Sequence, residues 1–81
     1  MILNMRKFHE IFKELKKQSG LSNVKLGKAI GVSYSSIHRW ENGLCDIVSD
    51  DLIKVAKFFG VSTDYLLGLE DYFNIYFAIT L

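Results

Sequence analysis

Apolar residues recur at helical spacing from residue 8 onward. Phe8, Ile11, Phe12 and Leu15 stand at i, i+3, i+4 and i+7. They form one stripe of an amphipathic helix running from about Asn4 to Gln18. Asn4 suits the cap of this helix, and Gly20 lies just past its end. Ser22 is placed to cap a second helix, with Leu26 and Ile30 facing inward and Gly31 as its stop. Gly27 falls in the middle of that helix, where glycine costs about 1 kcal/mol relative to alanine. The spacing therefore predicts close approach of another backbone at this point. Ser33 caps a third helix, Tyr34 to Asn42, which Gly43 closes. A fourth begins at Ser49 or Asp50, buries Leu52, Val55, Ala56 and Phe59, and ends at Gly60. Ser62 caps a short fifth helix, Thr63 to Leu67, with Asp64 in the first turn, where negative charge suits the helix dipole.

The pattern changes at the end of the chain. Phe73, Ile75, Phe77, Ile79 and Leu81 alternate with Tyr72, Asn74, Tyr76, Ala78 and Thr80. Period two in aromatic and β-branched residues predicts a strand. Its ladder partner is either the short segment MILNM or another chain. The expected organisation is a helical domain over residues 1–71 and an apolar extended tail over residues 72–81. Pairing of Phe73, Ile75, Phe77, Ile79 and Leu81 with a symmetry mate would make the tail a dimerisation strand. Left bare, an uncharged strand of this kind invites aggregation.

Composition narrows the class of protein. Eighty-one residues predict one small domain, with no space for a separate sensor. Hydrophobic residues make up 49% of the chain and proline is absent, which argues against disorder and for helix. No apolar run approaches the roughly 18 residues that span a bilayer. The start, MILNMRKFHE, turns charged too early for a secretory signal. Cys45 is the single cysteine, so no internal disulfide forms, and no Cys/His spacing suits zinc. The expectation is a cytoplasmic protein without a cofactor. Net charge is only +1, but it is unevenly spread: residues 1–28 carry +5, residues 29–43 carry zero, and residues 44–81 carry −4. Such a dipole can orient a molecule towards a polyanion.

The third helix carries the functional signal. In GVSYSSIHRWENG, Ile37 and Trp40 point to one side. Tyr34 and His38 make one i, i+4 row on the other, and Ser35, Arg39 and Asn42 make its neighbour. An inert solvated face would be mostly Lys and Glu. A catalytic cluster would pair a nucleophile with a base, or two carboxylates, and neither is present. Two helices joined by a short turn containing glycine form a helix-turn-helix outline. Val32 plugs the turn, and Gly27 lets the third helix cross the second closely. A protruding helix with small polar residues at its start and an arginine one turn later fits a DNA major groove, where Arg bonds guanine O6 and N7.

The run GLSNVKLGKAIGVSYSSIHRWENG, followed by DLIKVAKFFGVSTDYLLG, resembles the lambda-repressor-like DNA-binding domains of the Cro/XRE family. The resemblance covers Phe12 to Gly68. It rests on LS at the start of the second helix, GVS in the turn, ENG after the third helix and GVSTDYLLG at the fifth, in that order. It implies an all-α, five-helix domain, with the third helix in the major groove of double-stranded DNA and a homodimer on an inverted repeat. It also implies base-reading positions at Tyr34, Ser35 and Arg39, with Ser36 and His38 beside them. Phosphate-gripping positions fall on Asn23, Asn42 and the Gly43 loop, with Lys25 and Lys28 near enough to face phosphates. The family's buried Arg–Glu pair falls on Lys16 and Glu41. Lysine lacks the planar fork of arginine, so this pair is expected to be looser and more solvated. Asn23 replaces a common, longer Gln. Leu44 and Cys45 replace basic residues, leaving a loop that offers backbone amides, and Ile47 replaces a proline. The expected function is a small transcriptional repressor. The other readings are the antitoxin of a toxin–antitoxin pair, and an interaction module that binds a regulatory protein and no DNA.

Overall fold

The computed structural model describes residues 5–69. They form five helices: α1 (Met5–Ser19), α2 (Asn23–Ile30), α3 (Tyr34–Glu41), α4 (Ser49–Phe59) and α5 (Thr63–Leu66). No strand occurs among the described residues. The strand expected from Tyr72, Phe73, Ile75, Phe77, Ile79 and Leu81, residues 1–4 of its MILNM partner and the Asn4 cap lie outside them, while Met5 opens α1.

Helix starts follow the polar punctuation of the sequence. The hydroxyls of Ser22, Ser33 and Ser62 accept the amide hydrogens of Lys25, Ser36 and Tyr65, at 3.2, 3.2 and 2.9 Å. Each satisfies one amide that the first helical turn leaves without a partner. The fourth helix is different. Its N-cap is Val48, which contributes no side-chain hydrogen bond. Ser49 lies inside the helix, followed by Asp50 and Asp51 in the first turn. Those two carboxylates favour the helix through the charge of its amino end rather than by capping. The third and fifth helices each end one residue earlier than the pattern predicts, with Asn42 and Leu67 as caps.

The core joins all five helices. Phe8 and Phe12 of α1, Leu26 and Ile30 of α2, Ile37 and Trp40 of α3, Val55 and Ala56 of α4, and Leu66 of α5 are buried together. Trp40 is the anchor of α3: its ring meets that of Phe12 edge-on, with centroids 5.7 Å apart and planes at 90°. Phe12 also meets Phe59 edge-on at 6.3 Å. Perpendicular contacts of this kind suit the aromatic quadrupole and add to area burial. Ile47, in the loop before α4, is buried in the same core. An aliphatic side chain at this point therefore closes the loop onto the domain.

Gly27 is buried where α2 passes the turn that follows it. A Cβ there would lie 2.7 Å from the carbonyl oxygen of Val32 and 3.3 Å from the amide nitrogen of Tyr34. The close approach that the sequence predicts is thus to the backbone of the turn and the first residue of α3.

Candidate nucleic-acid interface

Helix α3 is held at both ends. At its start, Gly31 adopts φ +94°, in the left-handed region. The amides of Gly31 and Val32 both reach the carbonyl of Gly27, at 2.8 and 2.9 Å. Ser33 then caps α3, and its hydroxyl also lies 3.1 Å from that of Ser36. At its end, Gly43 takes φ +68°, the amide of Gly43 donates to Trp40 O at 3.4 Å, and the amide of Leu44 donates to Arg39 O at 2.8 Å. This is the Schellman arrangement, which satisfies the last carbonyls of a helix.

Two contacts from α1 fasten that end. Lys16 Nζ lies 3.0 Å from Glu41 Oε2, and the two side chains are only 18% and 22% exposed. The Lys–Glu geometry is close and mostly shielded, tighter than the loss of the guanidinium fork predicts. The second contact has no counterpart in the sequence reading: His9 Nδ1 donates to the carbonyl of Trp40 at 2.7 Å. A carbonyl can only accept, so Nδ1 carries the proton. This bond reinforces a carbonyl whose only other hydrogen bond outside the helix, from Gly43, is long. A shallow open groove lined by His9, Glu10, Lys13, Glu41, Asn42 and Gly43 runs beside these contacts. His9 sits next to Phe8 on the apolar stripe, but nothing in the spacing points it at a carbonyl 31 residues away.

With both ends fixed, α3 displays its polar rows. Tyr34 is 62% exposed, and His38 and Arg39 are exposed as well. Ser35 and Ser36 are half-buried nearer the turn. Ile37 and Trp40 face the core. On α2, Asn23 is half-buried at the first helical residue, and Lys25 and Lys28 are exposed. Asn42 is exposed, but its side-chain amide turns back along α3, donating to His38 O at 2.8 Å. The same nitrogen lies 3.3 Å from His38 Nδ1. The loop after α3 also differs from expectation. The amides of Asn42, Gly43 and Leu44 are all engaged in closing α3. The loop's outward features are instead the side chains of Leu44, 64% exposed, and Val48, 63% exposed.

A compact helical domain with a protruding, doubly anchored second helix of a helix-turn-helix defines a class of protein. The family model described as helix-turn-helix matches residues 12–66, and the chain belongs to that family, in its Cro/XRE branch. Two similar proteins extend the comparison. The HTH-type transcriptional regulator ImmR of Bacillus subtilis (strain 168) is 27% identical over 59 residues, which are 73% of this chain and 46% of ImmR. The chain therefore matches less than half the length of that relative. The P22 c2 repressor protein, whose crystal structure was determined with the synthetic operator 9T in the presence of Tl+, superposes with a TM-score of 0.71 at 28% identity. That match covers 78% of this chain and 96% of the repressor chain. By name, one relative is a transcriptional regulator and the other a repressor. No helix among the described residues is long and apolar enough to cross a membrane.

Proposed function

We propose that this chain is a transcriptional repressor that binds double-stranded operator DNA by laying α3 in the major groove. The observation that carries the reading is the exposure of Tyr34, His38 and Arg39 on a helix fixed at both ends, in a chain that superposes on a repressor crystallised with its operator. Arg39 reads a guanine through O6 and N7; Tyr34, Ser35, Ser36 and His38 line the same edge. Asn23, Lys25 and Lys28 grip phosphates, which set register and affinity without reading sequence; the amides of the Gly43 loop, spent in closing α3, are not counted among them. The protein acts as a homodimer on an inverted repeat, with recognition helices about 34 Å apart in successive major grooves. Its contact between protomers is assigned to the apolar tail, Phe73 to Leu81. Residues 1–71 are the DNA-binding unit and 72–81 the dimerisation strand. No chemistry accompanies binding.

The test is selection of sites from random duplex DNA at two salt concentrations. An enriched inverted repeat, bound less tightly as salt rises, is the expected result. Arg39→Ala should weaken binding by about 1–3 kcal/mol and relax one base position. An unchanged preferred sequence after Arg39→Ala would remove the base-reading role. Sedimentation of a chain ending at Asp71 addresses the dimer: the shortened protein should be monomeric. Absence of binding at low salt would favour the interaction-module reading instead. In that case the exposed Leu44 and Val48 would be the first surface to probe for a protein partner.

A further inference from the structure

His38 and Asn42 are one helical turn apart, so their side chains share a face of α3. The Asn42 amide fixes its own orientation. The end that lies 2.8 Å from His38 O must be the NH₂, because a carbonyl oxygen only accepts. One hydrogen of that NH₂ is used there. The other is left for His38 Nδ1, 3.3 Å from the same nitrogen. For Nδ1 to accept, it must present a lone pair, so the proton of the neutral ring resides on Nε2. His38 is itself exposed, in the row it shares with Tyr34. The ring therefore presents an N–H donor outward, and both donors of the Asn42 amide are spent inside the helix. A phosphate contact through that amide would require breaking the arrangement.

Resting on the DNA-binding reading above, we propose that Asn42 is a positioning residue: it holds His38 as an Nε2–H donor, and this donor discriminates against cytosine at one operator position. In the major groove an N–H donor is satisfied by guanine O6 or N7, adenine N7 or thymine O4. Against the cytosine N4 amine it faces another donor. The distinction is one of polarity, and it depends on which ring nitrogen carries the proton.

The experiment compares wild type, Asn42→Ala, His38→Ala and the double variant in selection from random duplex DNA. It is paired with ¹⁵N NMR of the His38 ring in the free protein with the imidazole neutral. The expected spectrum shows the proton on Nε2. Cytosine should be depleted at one position by wild type. Asn42→Ala should reduce that depletion about fivefold, the worth of one hydrogen bond. In the His38→Ala background, Asn42→Ala should change nothing further at that position. A contribution of Asn42 to stability or to phosphate binding alone would instead weaken all sequences evenly, with or without His38. That even weakening, or a ring protonated on Nδ1, would overturn the proposal while leaving the repressor reading intact. Failure of wild type to enrich any sequence would overturn both.

Discussion

The two ends of α3 are secured in different ways. Its start is held by neighbours in the chain: Gly27, Gly31, Val32 and Ser33 supply the turn, its hydrogen bonds and the cap, all within a few residues. Its end is held from a distance. The Schellman turn at Gly43 is local, but the fastening contacts come from His9 and Lys16 on α1. The linkers beyond each end reflect this. Before α3 the turn is short and pressed against buried Gly27. After α3 the loop exposes Leu44 and Val48 and leads to a helix without a side-chain cap. A local device sets the angle between α2 and α3 as soon as both helices form. A distant device sets how the far end of α3 sits on the domain, and it does so only after α1 has docked. The proposed base-reading residues lie between the two, so their placement depends on both.

The local end of α3 is the more sensitive of the two to substitution. Gly27→Val would put a branched side chain against the Val32 carbonyl, at a position where even a Cβ stands at 2.7 Å. Backbone cannot rotate aside as a flexible side chain can. The expected loss is about 3 kcal/mol of stability, read by urea denaturation. A loss close to zero would mean that the turn yields and does not set the helix angle. At the distant end the effect should be smaller. His9→Leu keeps the apolar bulk but deprives Trp40 O of its shortest hydrogen bond outside the helix, at a cost of about 1 kcal/mol. His9→Asn, whose amide can stand in for Nδ1, should recover most of it. If thermal melts place the Leu and Asn variants together, the imidazole acts through packing alone. The smallest expected change is a gain. Val48→Ser gives α4 the side-chain cap it lacks, at an exposed position already in the extended conformation of an N-cap. Stability should rise by about 1 kcal/mol. No gain would show that Asp50 and Asp51 already satisfy that end of the helix.

These differences also mark what could be read from the chain. The caps at Ser22, Ser33 and Ser62 were legible because a hydroxyl and the amide three residues on are neighbours whatever the rest of the chain does. The core stripes of α1 and α4 were legible from periodicity, and Trp40 from its place opposite Arg39 and Tyr34. The start of α4 at Ser49 was legible as well, but its cap was not: Val48 takes that position, next to Ile47, which is drawn into the core. Lys16 and Glu41 are paired by the family resemblance alone, and their shielding follows from what packs around them, which the sequence does not show. The return of the Asn42 amide to His38 lies within reach of i, i+4 reasoning, but asparagine has several rotamers and the sequence does not choose among them.

Helices, most of their caps, the inward faces and the glycines that a left-handed turn or a close crossing requires are written in the chain, because these depend on local sterics and short-range hydrogen bonding. Packing settled that His9 meets the Trp40 carbonyl, that Phe12 lies between Trp40 and Phe59, and how closely Lys16 and Glu41 are shielded. Those contacts join residues far apart in the chain, and their geometry exists only once the helices have packed. Periodicity can say that a residue faces inward. Which atom it meets there is settled by the angle and depth at which two helices come together.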